Sequence, residues 1–262
     1  MAALAVVTGA SSGIGQSYAE RLAADGMDLW LVARREDRLN DLKRKLEGRG
    51  ARARVVVADL SQANDVRRLS DELSALPVEL LVNNAGLSHY MPFAKLPTKL
   101  AQEVIDVNTL TPVVLTRAVL QGMIERGRGA IVNIASLLAF SGAARAAQLP
   151  PRAVYAAAKA FLVTFTQILA AEVAGTGVRV QVVCPGVVRT EFHSRQGIDM
   201  SSVPRMEPLQ IVKASMADLA RGVVVSIPAL PDESAIGRLN EAEAALLSVA
   251  RAKELASRYG KG

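Results

Sequence analysis

The sequence predicts an α/β fold built on a parallel sheet of about seven strands with helices on both faces. Three observations predict it. Short runs rich in Val, Leu and Ile alternate with longer helix-patterned stretches, and several short runs are apolar at both parities. Strands covered on both faces read that way, and strand–helix alternation implies right-handed crossovers between parallel neighbours. The glycine-rich and polar motifs fall directly after the short runs. Ligands of open α/β sheets bind beyond the carboxyl ends of the strands, so these motifs stand where a site would form.

The first strand is Leu4–Thr8, followed at once by Thr8-Gly9-Ala10-Ser11-Ser12-Gly13-Ile14-Gly15 and a helix over Gly15–Ala24. Strand, glycine loop and helix in that order are the context of a dinucleotide fingerprint. Gly9 allows a tight turn, Gly13 lets backbone approach a pyrophosphate, and Gly15 allows close helix–strand packing. The helix N-terminus adds partial positive charge. The second strand, Asp28–Ala33, ends in Arg34-Arg35 with no carboxylate to accept from a ribose 2′-hydroxyl. Two guanidiniums there suit a 2′-phosphate, so NADP(H) is favoured over NAD(H). The alternative is that both simply begin the charged helix Asp37–Leu46.

The third strand, Arg54–Ala58, leads into Asp59-Leu60, placed to meet an adenine ring, and a helix over Ala63–Leu76. The fourth, Leu80–Asn83, leads into Asn84-Ala85-Gly86, which would line the cofactor's second half. A helix over Ala101–Glu125 carries Asn108 inside an apolar pattern, where an amide requires a partner or a water. The fifth strand, Ala130–Ala135, delivers Ser136. The sixth, Val178–Cys184, delivers Pro185-Gly186-Val187-Val188-Arg189-Thr190, and Val223–Ile227 is the seventh.

Between Ser136 and the sixth strand lies an uninterrupted helical run, Ala153–Ala174, bearing Tyr155 and Lys159. Residues four apart share a helix face. A free phenol titrates near ~10, and a fixed positive charge beside it favours the phenolate.

Composition narrows the function classes. Half of the 262 residues are hydrophobic, enough for a core filling one domain over 1–262. The net charge of +6 is dispersed: the densest group, Arg34 to Arg54, is interleaved with Glu36, Asp37, Asp41 and Glu47. A nucleic-acid role is therefore not expected. The single Cys184 excludes an internal disulfide and reads as a buried strand end. His89 and His193 have no metal-ligand neighbourhood, so no metal is expected. With a strand beginning at Leu4 there is no room for a signal peptide, and Lys159 and Glu172 argue against a membrane span in the apolar run. The expected location is cytoplasmic.

These motifs, in this order, resemble the short-chain dehydrogenases/reductases over nearly the full chain. The resemblance rests on Thr8–Gly15, Asn83–Gly86, Asn108, Ser136, Tyr155 with Lys159, and Pro185-Gly186. It implies a Rossmann-like, doubly wound sheet in strand order 3-2-1-4-5-6-7 and hydride transfer between a nicotinamide cofactor and a carbonyl/alcohol pair. By the same resemblance, Tyr155 is the acid/base. Lys159 lowers its pKa and holds the nicotinamide ribose, Ser136 donates to the substrate oxygen, and Asn108 holds a water that links Lys159 to bulk. Gly9, Ser11, Ser12, Gly13, Ile14, Gly15, Arg34, Arg35, Asp59, Leu60, Asn84, Ala85, Gly86, Pro185, Gly186, Val188 and Thr190 would bind the cofactor, with Tyr155 and Lys159. Homodimers or homotetramers built on the Tyr155 helix are implied as well.

One departure is the nineteen-residue gap from Ser136 to Tyr155, longer than is usual in the family. The extra length falls in Gly142–Pro151, and by spacing alone Ser141 fits better, though Ser136 has the strand-end context. A lid is expected around 188–210, where Phe192, His193, Met200 and Met206 hint at a fairly apolar ligand or are scattered side chains of a loop. A C-terminal helix is expected around 239–258, packed on the domain or on a partner subunit. The leading function is an NADP(H)-dependent carbonyl reductase or alcohol dehydrogenase acting on a small molecule. The alternative is a non-catalytic NADP(H)-binding redox sensor.

Overall fold

The seven strands are β1 (Leu4–Thr8), β2 (Asp28–Ala33), β3 (Ala53–Val57), β4 (Val78–Asn83), β5 (Gly129–Ile134), β6 (Val178–Val183) and β7 (Val225–Ser226). All six neighbouring pairs are parallel. Their order is β3-β2-β1-β4-β5-β6-β7, the doubly wound, Rossmann-like arrangement expected. The computed structural model describes residues 2–143 and 149–260.

Strand alternation divides the core into two layers. Val7, Leu29, Leu31, Val82 and Val132 point to one face, where they meet α1 (Gly13–Ala24), α2 (Glu36–Glu47) and α7 (Pro208–Ala220). Val6, Trp30, Val32, Leu81 and Ile131 point to the other and meet α3 (Ala63–Ser74), α5 (Thr111–Glu125) and α6 (Ala153–Glu172). Because side chains alternate with period 2, both parities of the central strands must be apolar, as read from the sequence. Two buried polar chains tie helices to the sheet, one on each face. Tyr18 donates to Ser215, which donates to Gln181. Asn83 donates to Asn133, which donates to Thr166, tying β4 and β5 to α6.

The stretch expected as one helix over Ala101–Glu125 is helical throughout, starts earlier at Thr98 and contains a π-helical turn. The α4 helix (Thr98–Ile105) passes into a π-helical turn (Asp106–Leu110) and then α5. Pro112 falls in the first turn of α5, where its missing N–H costs least. The π turn turns Asn108 inward, and π bulges commonly mark functional positions.

The lid is a loop with its ends tied together. Val188 pairs with Met206, and the Arg189 amide donates to the Met206 carbonyl at 2.8 Å. Of the loop 142–151, expected to reshape the pocket mouth, residues 144–148 lie outside the described residues. The α6 helix is by length and composition able to cross a membrane, yet one face, including Tyr155, Lys159, Leu162 and Leu169, is buried in this fold.

The chain divides into two compact units, Met1–Pro228 and Ala229–Gly262. The second contains α8 (Ser234–Leu247), earlier and shorter than the helix expected over 239–258. No residue of α8 is buried, and Leu246, Leu247, Val249 and Leu255 are exposed. Ser248 Oγ donates back to the Ala245 carbonyl, a local bond that competes with helix continuation.

Candidate active site

The motifs converge at one edge, the carboxyl ends of β1 to β6. Gly9 and Gly13 have φ of 65° and 58°, left-handed values that a side chain resists. A Cβ on Gly15 would lie 2.4 Å from both Asn84 Nδ2 and the Gly9 carbonyl oxygen. Gly15 therefore makes room for Asn84 and the loop itself, rather than for helix–strand packing. Asn84 is also reassigned. Its Nδ2 donates to the carbonyls of Thr8 (2.9 Å) and Gly9 (3.3 Å), and its amide and that of Ala85 donate to Thr8 Oγ1. The pair braces the glycine loop, and the Asn84 side-chain donors are used there. A Cβ on Gly13 would stand 2.8 Å from Thr190 Cγ2, so the root of the lid rests on this loop.

At the β2 end the two arginines diverge. Arg34 is exposed and faces Asp59 at 4.0 Å. Arg35 turns to the glycine loop, its Nη2 donating to Ser11 Oγ at 2.9 Å, and its Nη1 pairs with Glu191 of the lid at 2.9 Å. The Leu60 side chain is buried in the core, so of Asp59-Leu60 only Asp59 presents a side chain at the edge. Ile14 and Val188 likewise pack on the core and shape the edge from beneath.

The reacting centre lies on α6 and the turn after β5. Lys159, buried, donates from Nζ to the Ile134 carbonyl at 2.9 Å and lies 5.6 Å from the centre of the Tyr155 ring. Burial pulls its pKa down to about 8. The Tyr155 phenol is pushed well above its ordinary value, first by burial and then by Tyr90, while Ser136 acts the other way. The Lys159 ammonium, expected to act on that phenol, bonds the Ile134 carbonyl, and burial is the largest influence on the phenol.

Ser136 and not Ser141 serves this centre. Ser136 Oγ accepts from the Leu138 amide, capping a short 3₁₀ turn, and interacts with Tyr155. Ser141 is engaged elsewhere, donating to the Leu138 carbonyl and accepting from Arg152. Asn108 Nδ2 donates to the carbonyls of Leu87 and Val104, while its buried Oδ1 has no partner among the described residues. A Cβ on Gly86 would sit 2.9 Å from that Oδ1 and 3.4 Å from Lys159 Nζ. Gly86 thus keeps open the space the two polar groups share. Pro185 accepts from the Leu137 amide, joining the β6 and β5 turns, and Gly186 lies beside Leu137. Burial drives the Cys184 thiol up to about 12, as befits a packing role.

An aromatic cap closes over Tyr155. Tyr90 meets it edge-on at 5.8 Å and Phe192 of the lid tilts against it at 5.7 Å. His193 stacks on Tyr90 at 6.1 Å. Tyr90 follows no motif in the sequence; only the fold brings it to Tyr155.

A nicotinamide dinucleotide suits these residues. The glycine positions admit backbone where a Cβ would collide, Ser11 and Arg35 supply donors beyond β2, and Asn108 Oδ1 is a buried acceptor awaiting a donor. A family model described as short chain dehydrogenase matches residues 3–200. A very-long-chain 3-oxoacyl-CoA reductase of Mus musculus is 36% identical over 193 residues, 72% of this chain and 60% of that one. The chain thus spans about three fifths of the length of that relative. A short-chain dehydrogenase of Sphingobium yanoikuyae, solved in complex with NADPH, is 34% identical with a TM-score of 0.92, covering 98% of this chain and 100% of that one. A bulky-bulky ketone specific alcohol dehydrogenase of Comamonas testosteroni is 31% identical with a TM-score of 0.88, covering 99% of each chain.

Proposed function

The chain belongs to the short-chain dehydrogenase family, and on that premise we propose an NADP(H)-dependent reductase of ketones with Tyr155 as acid/base. The observation that carries the reading is the grouping of Tyr155, Ser136, Lys159 and Asn108 beneath an apolar cap at the sheet's carboxyl edge. When bound, the nicotinamide supplies the hydride. Tyr155 donates its proton to the carbonyl oxygen and Ser136 donates a second hydrogen bond, so both stabilise negative charge as it develops there. Lys159, charged at neutral pH, holds the ribose and returns a proton toward Tyr155. Asn108 Oδ1 accepts from the water that completes this route. In oxidation the same residues run in reverse.

The substrate class follows from the cap. Leu87, Tyr90, Leu138, Val154 and Phe192 pack against the cluster of Val104, Tyr155 and Ala158, a lining that favours a ketone with apolar groups on both sides. The names of the Mus musculus and Comamonas testosteroni relatives, with an acyl-CoA ketone and a bulky ketone, support this reading. Phe161 and Ile168, exposed on the outer face of α6, suit a homodimer or homotetramer. A cytoplasmic, membrane-free enzyme is part of the same proposal, supported by the unpaired Cys184 and by the charged Lys159 inside α6.

Initial-rate NADPH oxidation against aldehydes, ketones and quinones tests it. Turnover should be fastest with bulky, apolar ketones and several-fold slower with NADH. Saturable NADPH binding with no oxidation by any carbonyl would contradict it.

A further inference from the structure

Glu191, in the lid, reaches into the ground the 2′-phosphate would need. Its carboxylate accepts from Arg35, Arg38 and Arg195. Arg35 also donates to Ser11 Oγ and the Ser11 carbonyl, and Arg195 donates to Ser12 Oγ at 3.2 Å. One carboxylate is therefore held by three guanidiniums, two of which also touch the glycine loop. The three arginines hold Glu191 down to about 2, Arg195 first, so it is anionic at any working pH.

The charge count points to a visitor. Three positive charges face Glu191, with Asp37 acting on Arg38 as well, so the cluster keeps a net positive charge. A phosphate monoester carries close to two negative charges at neutral pH and offers three strong acceptor oxygens, and guanidiniums bind such groups in bidentate fashion. A carboxylate tethered by the lid is a weaker anion of the same geometry. It holds the cluster only because it is permanently nearby.

We propose that Glu191 is an internal occupant of the 2′-phosphate subsite, a specificity-determining residue that a phosphorylated ribose must displace from Arg35, Arg38 and Arg195. The proposal rests on the NADP(H) reading above. It has a consequence for the reacting centre, because the next residue, Phe192, lies on Tyr155. Displacing Glu191 frees the segment that caps the phenol, so cofactors bearing the phosphate open the carbonyl site and those lacking it leave it capped.

The test is equilibrium binding of two fragments, adenosine 2′,5′-bisphosphate and adenosine 5′-monophosphate, to the whole protein and to Glu191→Gln and Arg35→Ala. Glutamine keeps the size of the side chain and removes its charge. An occupant that fills a subsite about nine-tenths of the time weakens apparent affinity about tenfold. Glu191→Gln should therefore bind the bisphosphate about tenfold tighter and leave the monophosphate unchanged, while Arg35→Ala should lose most of the preference between them. Deuterium uptake across residues 190–197 should rise with the bisphosphate and not with the monophosphate. If the parent prefers the bisphosphate and Arg35→Ala abolishes that preference, but Glu191→Gln binds it equally or more weakly, Glu191 organises the arginines and the proposal falls while the NADP(H) reading stands. If the parent does not distinguish the fragments and Arg35→Ala changes nothing, both fall.

Discussion

Tyr155→Phe lowers kcat for carbonyl reduction by about a thousandfold, within the usual range of about 10²–10⁴ for losing a general acid, and leaves NADPH binding within about twofold of the parent. The substitution removes one oxygen and keeps the ring. Its contacts with Tyr90 and Phe192 persist, so the cap and the fold stay in place. What disappears is an O–H that is both buried under the cap and paired with Ser136. Because burial raises its pKa above the ordinary phenol value, that phenol is protonated at neutral pH, and its loss lowers reduction there. Stopped-flow NADPH oxidation and fluorescence titration of NADPH separate the two effects. Activity within tenfold of the parent would remove Tyr155 from the mechanism.

Lys159→Met is the second large effect. Methionine roughly fills the same volume but cannot donate to the Ile134 carbonyl or hold a charge, and kcat is expected to fall by about 10²–10³ with a several-fold weaker NADPH Kd. The parent carries a titration signature that the variant lacks. Lys159 is charged below about 8 and neutral above it. In the parent kcat/KM for NADPH, which reports groups of the free enzyme, declines above that pH, and in Lys159→Met the limb is absent.

The stability consequence has a definite sign. The native pKa of about 8 lies below the ordinary 10.5, so between those values the unfolded chain binds the extra proton. The contribution of this residue to native stability therefore rises with pH across that window, and at pH 7 its buried charge costs roughly 3 kcal/mol. Methionine removes that cost and leaves the Ile134 carbonyl unpaired, a loss of about 1–3 kcal/mol. The two offset, so Lys159→Met folds with a Tm within a few degrees of the parent. A retained alkaline limb would show that another group titrates there.

Much of this site was legible before the fold because each motif follows a strand. Gly9, Gly13, Ser136 and Pro185 occupy the carboxyl edge for the same reason that Val6 and Val7 are both apolar: the sheet is parallel and covered twice. Tyr155 and Lys159 were legible as a pair because helix geometry fixes residues four apart. What escaped depends on contacts between distant segments. Arg35 and Glu191 are 156 residues apart in the chain, and no local pattern marks a lid carboxylate as the partner of a strand-end arginine. Tyr90 reaches Tyr155 through a loop, and Asn84 looked like a ligand because nothing local says that the glycine loop consumes its amide. The helix over Ala101–Glu125 was legible because its apolar rhythm continues across the π turn, which itself leaves no local mark. The expectation for Leu239–Arg258 followed its apolar residues, whereas the helix observed there is Ser234–Leu247.

The central claim, hydride transfer to a carbonyl with Tyr155 as the proton donor, is tested most directly by isotope transfer. The protein and Tyr155→Phe are each incubated with NADPH deuterated at C4 of the nicotinamide and with a bulky aryl ketone, and the alcohol is examined by mass spectrometry. The account predicts one deuterium on the carbinol carbon from the parent and no alcohol above background from the variant. NADPH that binds tightly but transfers no deuterium to any carbonyl would contradict it and favour a protein that senses NADP(H) without turning it over.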